Sequence, residues 1–206
     1  DQGNSWSEPV PLEPAGGPEA SWAQPLKAPS GRVYAFYTYN RDNLREVLAD
    51  APPFTGGICR RVDSLGAYAY RYSDDGGRTW SKQRYEIPMR PFEIDQENPY
   101  GGDVLFFWGV GKPFILDGAA YVPASKVGRF GEGFFPRSEG MLLRSPNLPD
   151  EPDPARHQWE TLPEGEIGLR APMGPVAEEH NCTALSDGSL YCTYRTTEGH
   201  PCHAYS

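Results

Sequence analysis

The eight residues Ser73-Asp74-Asp75-Gly76-Gly77-Arg78-Thr79-Trp80 restrict the fold more than any other part of this chain. An aspartate followed by two glycines is turn chemistry: its carboxylate can cap nearby backbone N–H groups, and glycine enters left-handed backbone without steric cost. Tyr68, Tyr70 and Tyr72 alternate on the approach, as on a strand with one buried face. Trp80 follows as a large apolar anchor able to wedge between neighbouring sheets. The segment therefore predicts a strand, a tight capped turn and a second strand.

Both ends of the chain repeat the signal. Asp1-Gln2-Gly3-Asn4-Ser5-Trp6 has the same aspartate, glycine and tryptophan offsets, and His203-Ala204-Tyr205-Ser206 parallels the run-up Tyr70-Arg71-Tyr72-Ser73. Repetition at this scale is the signature of stacked sheet units of roughly 40–50 residues, and the spacings suit about three of them. A closed ring of such units needs at least four. The expectation is an incomplete array, about half of a larger one.

The pattern S-x-D-x-G-x-T-W in Ser73–Trp80 resembles the Asp box, or BNR repeat, of the sialidase (neuraminidase) superfamily. That resemblance implies an all-β fold: a six-bladed β-propeller, here present as about three blades in a single domain over residues 1–206. Composition agrees with an ordered, loop-rich domain of secreted or periplasmic type. Gly (23), Pro (22) and 13% aromatics accompany short apolar runs bounded by Gly, Pro, Asp or Ser. The runs are Val33 to Tyr39, Ala67 to Tyr72, Val104 to Val110, Phe114 to Val122 and Leu190 to Tyr194. Asn43 to Asp50, with Leu44, Val47 and Leu48 at helical spacing, reads as one short helical turn in a loop.

Other functions are disfavoured. A net charge of −9 repels phosphates, so no nucleic-acid partner is expected. No run is long enough for a membrane segment. Gly109-Val110-Gly111-Lys112 lacks the leading glycine and the trailing Ser/Thr of a phosphate-binding loop. Cys182 and Cys192 flank the turn Ser186-Asp187-Gly188-Ser189; a three-residue loop would place them opposite each other, a two-residue loop would offset them by one. Four cysteines permit disulfides without requiring them, and free buried thiols are the default expectation. The spacing of Cys192, His200, Cys202 and His203 fits no common zinc finger, so no metal is expected. Asn181-Cys182-Thr183 is formally a glycosylation sequon, expected to be unmodified.

Candidate chemistry centres on the segment from Glu179 to Arg195. It resembles a second sialidase signature, in which a glutamate opens a hairpin, an Asp-Gly turn follows and an arginine closes it. The resemblance implies that Glu179 assists a tyrosine nucleophile and that Arg195 grips a substrate carboxylate, with His180 and Asn181 contacting sugar hydroxyls. Arginine suits that grip because its planar fork forms two parallel charge-assisted hydrogen bonds. The acid/base aspartate of the family corresponds to Asp63, with Asp42 and Asp50 as competitors. One departure stands out: the family has Arg-Ile-Pro ahead of its first strand, whereas Ser21-Trp22-Ala23-Gln24-Pro25 puts alanine at the arginine position. Arg41, Arg60 or Arg61 are the candidate substitutes. The resemblance places the tyrosine and the remaining triad arginine C-terminal to Ser206.

The activity implied is a retaining exo-sialidase-type glycoside hydrolase acting on terminal acidic sugars, with a glycan substrate and no cofactor. The alternatives are a non-catalytic glycan-binding propeller, or a hydrolase or lyase acting on uronic-acid polysaccharides.

Overall fold

The structure is a computed structural model describing residues 2–49, 55–128, 137–170, 176–196 and 199–206, with residues 55 and 176–178 described by backbone alone. Asp1 and Asp50, both drawn on above, lie outside the described residues. The described residues are all-β apart from short helical turns. In chain order the strands are β1 (Ala20–Lys27), β2 (Val33–Tyr39), β3 (Val47–Leu48), β4 (Ile58–Cys59), β5 (Ala67–Ser73) and β6 (Tyr85–Ile87). After the α-helical turn α1 (Glu93–Gln96) come β7 (Phe107–Trp108), β8 (Phe114–Leu116), β9 (Ala119–Val127), β10 (Ser138–Ser145) and β11 (Glu160–Leu162). The last three are β12 (Val176–Ala184), β13 (Leu190–Thr196) and β14 (Cys202–Tyr205).

Every pairing among them is antiparallel. The first sheet runs β1-β2-β5-β6 and the second β11-β10-β9-β7, with β8 also on β9; the third runs β12-β13-β14, and β3-β4 form a small ribbon. The core lies between the first and second sheets, where Tyr34, Phe36, Tyr68 and Tyr70 pack against Phe107, Val122 and Met141. Burying one such side chain contributes roughly 1.5–3 kcal/mol. Alternation along β5 is as expected, but the opposite face is buried as well. Ala67 and Ala69 are 4% and 0% exposed, their small side chains letting a neighbouring layer close over the strand.

The turn after β5 is capped as its chemistry requires. Asp75 Oδ1 accepts from Thr79 N at 2.8 Å and from Ser73 Oγ at 2.7 Å, while Oδ2 accepts from Thr79 Oγ1 at 2.7 Å. These bonds, led by those from Thr79, hold the carboxyl pKa down at about 2. Gly77 has φ +88 with the Trp80 ring 3.9 Å from where a Cβ would stand. Gly3 repeats this arrangement, with φ +91 and Trp6 at 3.8 Å.

The second sheet carries a version of this turn that is not apparent in the sequence. Ser145 ends β10 as Ser73 ends β5, and its Oγ donates to Asn147 Oδ1 at 3.3 Å. Gln158 N then donates to the same oxygen at 2.9 Å, matching the Thr79–Asp75 bond, and Trp159 follows as Trp80 follows Thr79. Residues 148–157 are interposed. The wedging expected of Trp80 falls to Trp159, whose ring lies 6.1 Å from both Phe36 and Tyr70 across the sheet interface. Trp80 stays partly exposed.

The helical turn expected at Asn43 to Asp50 is not formed. Asn43 adopts φ +51, and Asn40 holds the loop by accepting from Leu44 N at 3.1 Å and donating to Leu44 O at 2.8 Å. Val47 and Leu48 then pair as a strand with Cys59 and Ile58. No helix among the described residues is long and apolar enough to cross a membrane.

Candidate functional site

Strands β12 and β13 form a hairpin whose loop is closed by Leu185 N donating to Ser189 O at 2.8 Å. This leaves the three residues 186–188 at the tip, and Cys182 and Cys192 stand directly opposite each other. The register slips between Val176 and His180, an irregularity at the open end of the hairpin. There Arg195 Nη1 donates to Glu179 Oε1 at 3.3 Å, with the two side chains 54% and 49% exposed. The pair borders an open groove of about 390 Å³, also walled by Asn181, Thr193, His200 and Pro201. An exposed pair of this kind adds little to stability. Its guanidinium and carboxylate remain accessible to a ligand in the groove.

Asn181 faces the same groove. Its Oδ1 accepts from Lys112 N at 2.8 Å, tying β12 to the loop that follows β7. Gly111 makes that approach possible, since a Cβ on it would sit 2.8 Å from His180 O of β12, and Gly109 lets the same loop pack on the first sheet. A Cβ on Gly109 would sit 2.3 Å from the Tyr68 ring, and one on Gly111 would sit 2.4 Å from Pro123. These glycines serve close packing between layers.

His180 is not in the groove. It is 1% exposed, on the opposite face of β12 from Glu179 and Asn181, because side chains alternate along a strand. Its Nε2 lies 3.0 Å from Met141 O, a carbonyl that can only accept, so that nitrogen carries the proton. Nδ1 then accepts from Ser125 Oγ at 3.1 Å. Burial lowers the imidazole pKa to about 4 and keeps the ring neutral. His180 thus fastens the third sheet to the second, and neither ring nitrogen is left for a sugar hydroxyl.

Asp63 belongs to a second cluster, on the loop between β4 and β5. Its Oδ1 accepts from Arg61 Nε at 3.1 Å and from Ser64 Oγ at 3.1 Å, with the side chain 24% exposed. The Arg61 guanidinium lies 4.2 Å from the Trp108 ring centre, and Trp108 packs on Trp22 with centroids 4.6 Å apart. Trp22 sits at a register shift in β1 with φ +63, next to Ala23, where the resemblance expects arginine. Of the three candidate substitutes, Arg61 is the one set beside Asp63. Arg41 points to the far edge of the first sheet, where its Nη1 pairs with Glu86 of β6 at 2.9 Å.

The two clusters are linked through the sheets. Trp108 is the register partner of Ser125, whose hydroxyl bonds His180, the neighbour of Glu179. Sequence reasoning missed the Trp22–Trp108–Arg61 stack because its members come from three separate segments. The one local signal was a tryptophan beside the alanine that replaces the expected arginine. Among the described residues no group of three or more His, Cys, Asp or Glu is placed to hold a metal ion.

No family model and no curated protein matches the sequence. Among solved structures the chain is similar to the PL25 ulvan lyase bound to -[GlcA(1-4)Rha3S]-, with TM-score 0.49 and 10% identity over 91% of this chain and 41% of that one. A second structure of the PL25 ulvan lyase gives TM-score 0.46 at 11% identity, again over 91% of this chain and 41% of that one. The xylan β-1,4-xylosidase of Bacillus halodurans C-125 gives TM-score 0.44 at 12% identity, over 90% of this chain and 30% of that one. The chain therefore spans less than half the length of each of these three structures.

Proposed function

We propose that this chain is part of a sialidase-type β-propeller acting outside the cytoplasm as a retaining glycoside hydrolase on terminal acidic sugars. The observation that carries the reading is the exposed Glu179–Arg195 pair at the mouth of the β12–β13 hairpin, bordering an open groove. Support for the architecture comes from the serine–carboxamide/carboxylate–tryptophan turn, built alike after β5 and after β10. In this reading Arg195 binds the sugar carboxylate through its fork, and Glu179 takes the proton of the family's tyrosine nucleophile as that tyrosine attacks the anomeric carbon. Asp63 delivers a proton to the leaving glycosidic oxygen and later withdraws one from the incoming water. Asn181, its carbonyl oxygen engaged by Lys112, presents its amide nitrogen to a sugar hydroxyl.

A second reading, a hydrolase or lyase of uronic-acid polysaccharides, is favoured by the position ahead of the first strand. Alanine stands there, beside a tryptophan stacked on Trp108, which leaves fewer grips for the carboxylate of sialic acid. The test is a panel of fluorogenic sialosides and uronides, together with polymeric uronates followed by ultraviolet absorbance of the unsaturated product. The protein would be assayed alongside Glu179→Gln and Asp63→Asn variants. Sialoside hydrolysis abolished in both variants supports the first reading. An unsaturated product supports the second, and binding without turnover that survives both substitutions refutes catalysis at this site.

A further inference from the structure

Cys182 and Cys192 are free thiols on facing strands, and the pattern of backbone bonds fixes how they face. Leu190 N donates to Ser206 Oγ at 2.9 Å, and Leu190 O accepts from Ser206 N at 3.0 Å. The polar groups of Leu190 therefore point toward the β14 side, which makes Ala184–Leu190 a non-hydrogen-bonded pair of the β12–β13 ladder. Antiparallel pairs alternate in type, so two residues further along, Cys182–Cys192 is non-hydrogen-bonded too. At such pairs the Cα atoms stand about 4.5 Å apart and the side chains come closest. That spacing falls within the window of roughly 4.4–6.8 Å that a disulfide spans.

Two further observations set this pair apart from the other cysteines. Both thiols line an apolar cavity of about 340 Å³ between the second and third sheets, together with Leu142, Leu169 and Ala204, so a small reagent has a route to them. Cys202 is paired with Tyr194 and is only diagonal to Cys192, while Cys59 lies in the β3–β4 ribbon. The hydrogen bond with Cys182 lowers the pKa of the Cys192 thiol, whereas that of Cys182 is pushed up by the same bond and by burial. Cys192 is thus the better first nucleophile.

We infer that Cys182 and Cys192 form a reversible cross-strand disulfide in an oxidising compartment, locking the hairpin that holds Glu179 opposite Arg195. The oxidant is a low-molecular-weight disulfide. The Cys192 thiolate attacks one of its sulfurs, forming a mixed disulfide and releasing one thiolate. The Cys182 thiolate then attacks Cys192 Sγ, forming the cross-strand bond and expelling the second thiolate. Two protons pass to water; two cysteine sulfurs are oxidised and one small disulfide is reduced. The inference does not depend on what the groove binds.

The test is equilibration of the whole chain with oxidised glutathione, followed by intact mass, non-reducing peptide mapping and thermal melting. The expected result is the loss of two hydrogens, a single linked peptide pair joining Cys182 to Cys192, and a Tm higher by about 5–10 °C. Dithiothreitol should reverse all three, and Cys182→Ala and Cys192→Ala should show none of them. Four thiols still titratable at equilibrium, a linkage through Cys202 or Cys59, or a linked form melting no higher than the reduced one would each overturn the inference. The mapping is done on the unsubstituted protein, so it stands even where a variant folds poorly.

Discussion

Lys126 Nζ donates to Asp95 Oδ2 at 2.6 Å, and the two side chains are 1% and 0% exposed. The same carboxylate oxygen accepts from Phe92 N at 2.7 Å. A buried pair of this kind is costly to break from one side, because the remaining charge has no solvent to turn to. Lys126→Met should lower unfolding free energy by about 3–5 kcal/mol in a urea melt. Adding Asp95→Asn to that variant should restore most of the loss, since a neutral amide still accepts from Phe92. A double variant as unstable as the single would contradict this account.

His180 makes stability depend on pH. The folded ring is neutral down to a pKa of about 4, whereas the unfolded ring protonates near its ordinary value of 6.5. Below pH 6.5 the unfolded chain therefore binds the extra proton. Stability should fall as pH drops from 6.5 toward 4 and then level off for this group. The contribution is roughly 3 kcal/mol, from a shift of some 2.5 pH units. Melts of the unsubstituted protein and of His180→Gln across this range isolate it: the difference between them should narrow with acidification.

Asn147 occupies the place of Asp75 in the second copy of the capped turn. Asn147→Ala removes the acceptor for Gln158 N and Ser145 Oγ and should cost about 1 kcal/mol, as lost caps do. Asn147→Asp keeps that acceptor and loses only the donor to Arg156 O, so it should cost less. Equal losses in the two variants, read from chemical denaturation, would show that the shared oxygen is not what holds the turn.

Arg195 is the most direct probe of the proposed site. Arg195→Ala should raise KM for an acidic sugar about 10–100-fold, corresponding to one lost bidentate charge-assisted contact. Arg195→Lys should recover only part of it, because a point charge does not reproduce the fork. The exposed pair with Glu179 itself adds little to stability, so Tm measured alongside KM separates a recognition defect from a folding one. Unchanged KM in Arg195→Ala would remove the groove from substrate recognition.

Much of this was legible in the residues themselves. Asp75, its glycines and Trp80 announced a capped turn between strands, and the Asp187-Gly188 tip allowed Cys182 to face Cys192. The counterpart in the second sheet was hidden because residues 148–157 separate Asn147 from Gln158, and the pattern re-forms only through hydrogen bonds. Val47 and Leu48 read as helical because spacing cannot register a side chain such as Asn40, which turns the loop another way. His180 is different: it was expected at a sugar hydroxyl, although strand alternation already argued for its burial. Glu179, His180 and Asn181 are consecutive on one strand, so sending the outer two to a groove sends the middle one inward. The Trp22–Trp108–Arg61 stack was not legible, because only three-dimensional assembly joins those segments.

Residues 148–157 also bear on how the molecule comes apart. From this insertion Leu148 O accepts from Tyr34 Oη, Pro152 O accepts from Arg32 Nη1, and His157 bonds Tyr70 Oη. The second sheet is thereby laced to the first at three points, beyond the wedge of Trp159. His180 and Asn181 in turn bond the third sheet to the second. Under tension applied across their interface, the first two sheets should therefore yield together as one mechanical body rather than part from each other.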